Sequence, residues 1–170
     1  MTKIAVIVGA LFMLNCGRTT DTPPAVSQTR GDSIVLERTP CFGRCPVYRV
    51  RINRDGHVRF ESRNPAEAGR VAEAQVDPAA VRQLFADALS FEKDSLPPDL
   101  MGKAPYCGVA ATDHSYVIVE YYESDRQWRV RDYLGCHETM NEAGRPVLTR
   151  LRKLEADIDT VAGTQRWILR

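Results

Sequence analysis

In "RTPCFGRCPVYRVRINRDGHVRFES", residues 38–62, two cysteines and a proline run directly into strictly alternating sequence. Tyr48, Val50 and Ile52 share one face while Arg49 and Arg51 share the other, which is the period-two pattern of a half-buried strand. Asp55-Gly56 supplies a tight turn, and the alternation resumes with Val58 and Phe60 inward. Residues 47–62 therefore predict a β-hairpin, so the protein has an antiparallel sheet with one apolar face.

Upstream, "SIVLER" is a short strand candidate. Downstream, a polar stretch holding Pro65 and Gly69 leads to "VDPAAVRQLFADALSF", where Asp77 is placed to cap a helix and Pro78 occupies its first turn. Val81, Leu84, Phe85, Ala88 and Leu89 follow at helical spacing. Lys93 to Thr112 has no period and contains "LPPDL" and "GKAP", so it reads as a long loop, either a binding surface or a connection pinned by Cys107. "SYVIVEYY", the turn "ESDR" and "QWRVRDY" form a second hairpin with Trp128 and Val130 inward. A second helix carries Leu148, Leu151, Leu154, Ile158 and Val161 and stops at Gly163, with Trp167 expected to pack back onto the sheet. The order strand, hairpin, helix, hairpin, helix predicts an α+β fold: an antiparallel sheet of about five strands with both helices on one face.

The first residues, "MTKIAVIVGALFMLNC", place Lys3 before an apolar run from Ile4 to Leu14, the pattern of an export signal and too short to span a bilayer. The run ends in Met13-Leu14-Asn15-Cys16, which resembles a lipobox with Met13 and Asn15 as departures, so Cys16 is the expected lipidation site. Residues 1–16 read as a lipoprotein-type signal, 17–32 as a flexible tether and 33–170 as one α+β domain. The expected location is the cell envelope, anchored to a membrane through Cys16, with a soluble periplasmic or secreted form as the alternative. The chain holds 23 basic and 22 acidic residues, and loss of Lys3 with the signal leaves a neutral domain. Such a domain lacks the positive field that phosphate backbones require, so nucleic acid is not an expected partner. With Cys16 set aside, Cys41, Cys45, Cys107 and Cys136 form an even set, which in an oxidising compartment reads as two disulfides.

"LERTPCFGRCPVYRVRINRDGHVRF" resembles the opening signature of a family of small bacterial envelope proteins of uncharacterised function, roughly T-x-C-F-G-x-C-P-x-Y. "QWRVRDYLGC" and "LRKLEADIDTVAGTQRWI" are similar to its later segments, and the likeness covers about residues 34–169. The resemblance implies an exported α+β domain behind a lipoprotein or secretion signal. It implies no catalytic residue.

Cys41, Cys45 and Pro46 also match the C-x-x-x-C-P arrangement of copper-delivery proteins with a thioredoxin-like fold. That chemistry needs exposed, stabilised thiolates and a third ligand, for which Arg44 is a nearby cation and His57, His114 and His137 are the available imidazoles. The motif runs into a strand, so no helix dipole lowers the thiol pKa. A disulfide between Cys41 and Cys45 instead requires a turn: an extended chain separates the two Cα atoms by about 13 Å, against the roughly 4.4–6.8 Å a disulfide spans. Gly43 permits that turn. Chain entropy assigns such a short loop about 2 kcal/mol, and a Cys107 to Cys136 loop about 3.6 kcal/mol. Three connectivities stay open, because the simplest register of the second hairpin, Glu123 opposite Arg126, sets Cys136 across from Asp113 unless "GVAAT" folds back.

The remaining candidates are weaker. Asp113 and His114 are neighbours at a strand start and point to opposite faces, while His137 and Glu138 fall in a loop. Ser115 has no nucleophile-elbow context, and Arg150, Arg152, Lys153 and Glu155 read as a solvated helix face. The leading expectation is a non-enzymatic envelope domain, without cofactor or metal, that binds another protein or an envelope component. The alternative is thiol redox or copper handling by Cys41 and Cys45 with His57. A hydrolase would require a deep polar pocket around His114 or the Lys93 to Thr112 loop.

Overall fold

The computed structural model describes residues 31–136 and 142–168. The expected signal with Cys16, most of the expected tether, His137 and Glu138 lie outside the described residues. Strands β1 (Ser33–Arg38), β2 (Tyr48–Asn53), β3 (His57–Ser62), β4 (Val71–Gln75), β5 (Tyr116–Glu123) and β6 (Arg126–Tyr133) form one antiparallel sheet in the order β4-β3-β2-β1-β5-β6. Helices α1 (Pro78–Leu89), α2 (Arg145–Ala162) and the short α3 (Gln165–Ile168) complete it. The fold is α+β as expected, but the sheet has six strands where about five were read.

The additional strand is β4, which lies in the stretch read only as polar. It alternates Ala72 and Ala74 inward with Val71, Glu73 and Gln75 outward, a pattern too weakly apolar to signal a strand. The β2–β3 turn holds it: Val76 N–H donates to the Gly56 carbonyl at 3.0 Å. Gly56 has φ +90°, and a Cβ there would sit 2.5 Å from the Val76 oxygen, so only glycine lets the two segments close.

β1 sits at the centre, and its side chains set the two faces. On the core face, Ala72, Phe60, Val50, Leu36, Val119 and Val130 stand in one row across all six strands. Both long helices pack on this face, α1 through Val81, Leu84, Phe85 and Ala88 and α2 through Leu148, Leu151, Leu154 and Ile158. Asp77 caps α1 by accepting from Ala79 N–H at 2.8 Å, and Trp128 Nε1–H donates to the Ala88 carbonyl at 3.2 Å, locking the helix end to β6. Ala162, rather than Val161, completes the buried stripe of α2. Trp167 does pack onto the sheet, 5.1 Å from the Phe60 ring. On the opposite face the matching row reads Glu73, Arg59, Arg51, Val35, Glu120, Arg129.

The β5–β6 register has Glu123 opposite Arg126 and Tyr116 opposite Tyr133. Beyond Tyr116 the pairing shifts: Ala110, not Asp113, bridges to Cys136, and Ala111 N–H donates to the Gly135 carbonyl at 2.8 Å. Residues 112–115 bulge out, with Asp113 in the left-handed region at φ 70°. That fold-back brings Cys107 to Cys136 with Cα atoms 5.3 Å apart, and the bond is buried. Cys41 and Cys45 are joined with Cα atoms 5.8 Å apart. The preceding loop is strapped down: Leu100 N–H donates to the Arg131 carbonyl and Arg131 N–H to the Pro98 carbonyl, so Pro98–Leu100 lines the outer edge of β6.

The two disulfides should differ in thermodynamic weight. In urea unfolding without reductant, Cys107→Ala with Cys136→Ala should cost about 3–4 kcal/mol and Cys41→Ala with Cys45→Ala about 2 kcal/mol or less. Equal losses would show that loop length does not set their contributions.

Candidate functional site

Arg38 and Tyr48 are register partners at the ends of β1 and β2, so residues 39–47 form an excursion from the sheet. Its base is tied on both sides. Thr39 N–H donates to the Tyr116 carbonyl at 3.0 Å, Tyr116 N–H returns a bond to Thr39 Oγ1 at 2.8 Å, and Arg63 N–H donates to the Val47 carbonyl at 2.8 Å. Its tip is closed by the Cys41–Cys45 bond, with Gly43 at φ 136° making the turn. A loop this tight cannot fold over its own side chains, and Phe42 is 89% exposed. Phe42 N–H donates to the Asp113 carbonyl at 3.1 Å, fixing the tip against the 112–115 bulge.

Two more apolar side chains are exposed on the adjoining loop, Val109 at 56% and Met101 at 45%. Met101 Sδ accepts from Tyr116 O–H at 2.8 Å, and the Tyr116 ring packs tilted against Tyr133 with centroids 4.8 Å apart. The Tyr133 hydroxyl donates to the Ala111 carbonyl at 2.9 Å and accepts from His114 N–H at 3.1 Å, so the bulge is braced from beneath. Both disulfides and these three exposed apolar residues belong to the loops at one end of the sheet.

Under this end lies a part-buried polar node. The Arg38 guanidinium contacts Asp159 Oδ2 of α2 through Nη2 at 2.7 Å and Nε at 3.0 Å, and Nε also reaches the Tyr48 oxygen at 2.9 Å. The Tyr48 hydroxyl donates to Asp159 Oδ1 at 2.5 Å, and buried Thr164 donates to the same oxygen at 3.0 Å. Burial, then the Asp159 carboxylate, pushes the Tyr48 hydroxyl well above its ordinary pKa and keeps it a donor. Burial opposes the charge on Arg38, but Asp159 outweighs it and holds the guanidinium above its usual value. Tyr48 thus joins β2 to α2.

Beside the node, fully buried Asp132 accepts from Arg152 Nε at 2.8 Å. Glu155 is 3% exposed, and its Oε1 has no hydrogen-bond partner among the described residues. Burial first, then the nearby Asp132 carboxylate, raises its pKa well above the ordinary range, while Arg38 and Arg152 only partly oppose this. The solvated face expected of α2 therefore holds only in part: Lys153 is exposed beside Asp157, Arg150 lies over the Phe91 ring at 4.7 Å, and Arg152 and Glu155 turn inward.

The sequence candidates separate. His57 starts β3, while Cys41 and Cys45 lie beyond Tyr48, which pairs with Ser62 at the other end of that strand. Five strand residues span roughly 17 Å, so Cys41, Cys45 and His57 do not form one site. His57 instead lies 3.7 Å from Glu73. His114 is near the pinned loop, but its ring meets Tyr133 edge-on at 6.3 Å and the Asp113 carboxylate accepts from Thr112. Among the described residues no three His, Cys, Asp or Glu side chains are grouped to hold a metal ion. A broad hollow of about 1230 Å³ lies on the charged sheet face, lined by Arg49, Arg51, Arg59, Glu61 and Glu73, and His114 does not line it.

These features define a disulfide-closed α+β domain that displays apolar side chains from covalently braced loops. Residues 32–155 match the family described as Domain of unknown function (DUF6438), and the chain belongs to that family. No curated protein matches the chain.

Because the folded pKa of Glu155 is raised, its contribution to stability is complete below the unfolded carboxyl value of about 4.3 and is lost as pH rises toward the folded value. Glu155→Gln should flatten that loss. The stability of the variant minus that of the native chain should grow with pH above about 5, by up to about 1.4 kcal/mol per pH unit. Parallel curves from denaturant unfolding would contradict a neutral buried Glu155.

Proposed function

We propose that this is a non-enzymatic domain of the cell envelope, anchored through lipidated Cys16, that holds another protein or an envelope component against the Cys41–Cys45 loop. The observation that carries the reading is Phe42: a large aromatic side chain left exposed on a loop whose tip is covalently closed and whose base is hydrogen-bonded on both sides. Ordering a flexible loop costs free energy on binding, and this loop is ordered beforehand. Aromatic anchors surrounded by near-neutral contacts commonly dominate recognition surfaces. Val109 and Met101 add apolar area on the neighbouring loop.

Export is supported by the apolar N-terminal run ending at Cys16 and by two bonded cysteine pairs, which persist in oxidising compartments. Among the described residues no helix is long and apolar enough to cross a membrane. Redox or copper handling is the less favoured reading, since Cys41 and Cys45 are bonded to each other and Cys45 and Pro46 lead into β2 rather than into a helix.

A photo-reactive amino acid at Arg44, used in cells, tests the reading. Crosslinking there should capture a discrete partner, and adding Phe42→Ala should cut its recovery about 30-fold, the loss of an anchor worth about 2 kcal/mol. Thermal stability should stay within about 0.5 kcal/mol, as for other surface changes. Undiminished capture with Phe42→Ala would refute Phe42 as the anchor.

A further inference from the structure

The two edges of the sheet are treated differently. On β6, Pro98–Leu100 bonds to Arg131 and occupies the edge. On β4, the flanking bonds Ser62 N–H to Arg70 O and Val76 N–H to Gly56 O fix which residues face β3. Antiparallel ladders alternate, so Ala72 and Ala74 bond to β3, while the N–H and C=O groups of Val71, Glu73 and Gln75 point away from the sheet. β4 carries no proline and no bulge, two of the means of blunting an edge, and its one charged side chain is Glu73.

We propose that β4 receives an extended strand of a partner protein, added antiparallel, with a basic residue opposite Glu73 and small branched apolar residues opposite Ala72 and Ala74. Three donors and three acceptors are already aligned for it at Val71, Glu73 and Gln75. Ala72 and Ala74 are half-buried and pack against the core, so apolar residues opposite them continue the apolar layer outward. Glu73 stands at the middle of the edge with its side chain 52% exposed. Arg59 at 3.0 Å and His57 at 3.7 Å lie on its inner side, which leaves the outer side for a cation. A second copy of this chain fits poorly: the register that pairs all three outward residues sets Glu73 against Glu73, and like charges directly opposite are destabilising. The surface is separate from the Phe42 loop and does not depend on the function proposed for it.

The test uses the full domain and a capped peptide, Thr-Val-Lys-Val-Thr flanked by glycines, followed by amide hydrogen exchange and NMR shifts. Exchange at Val71, Glu73 and Gln75 should slow at least tenfold as peptide is added, with Ala72 and Ala74 unchanged because they are already bonded. N-methylation of alternate peptide residues should abolish the effect. Glu73→Lys should weaken binding of the Lys peptide at least tenfold and restore it for a peptide with Glu in its place. Absence of protection at the three outward amides, or equal protection at Ala72 and Ala74, would overturn strand addition. Protection that appears without peptide and rises with protein concentration would overturn the partner strand in favour of a second copy.

Discussion

The carboxylate of Asp159 holds the disulfide-bearing end of the structure in place. It receives the Arg38 guanidinium on one oxygen and the hydroxyls of Tyr48 and Thr164 on the other. Arg38 ends the central strand, Tyr48 begins its neighbour, and Asp159 lies near the C-terminus of α2, so one side chain fixes three elements. Because Arg38 and Tyr48 flank residues 39–47, the node also sets the width of the loop that the first disulfide closes. Removing Arg38 or Asp159 leaves the other charge partly buried without its ion partner, which is destabilising. Tyr48 is therefore a structural residue at the base of the loop that carries Phe42.

The outer sheet face shows how a charged surface is held neutral. Arg49 bridges Glu37 and Glu120 at 2.9 and 2.8 Å, and Arg59 bridges Glu61 and Glu73 at 2.9 and 3.0 Å. Each exposed pair is weak alone. Val35 and Ile118 point to this face and are nonetheless buried there. Arg51, between these two groups, is held by the Ser33 hydroxyl at 2.9 Å.

Legibility followed the strength of local patterns. Both hairpins and both long helices could be read because alternating or helically spaced large apolar residues leave few alternatives. β4 could not, since its inward residues are alanines and its support comes from a turn distant in sequence. The Cys107–Cys136 pairing depended on a bulge that shifts the β5–β6 register by three residues, and no periodicity encodes it. Glu155 was misread for another reason. It lies four residues after Leu151 and three before Ile158, on the apolar stripe, and its charge outweighed its position. The exposure of Phe42 had a signal in the cysteine spacing, because a loop closed so tightly has no interior; an aromatic between two alternating strands otherwise reads as core.

The central claim is that the Cys41–Cys45 bond is a fixed closure of a recognition loop and not a working thiol pair. Alkylation and mass spectrometry of the protein isolated from its export compartment, without reductant and with its metal content measured, test this directly. The account predicts no alkylation at Cys41, Cys45, Cys107 or Cys136 and no retained copper. Alkylated Cys41 and Cys45 in freshly isolated protein, or stoichiometric copper lost on Cys41→Ser, would contradict it.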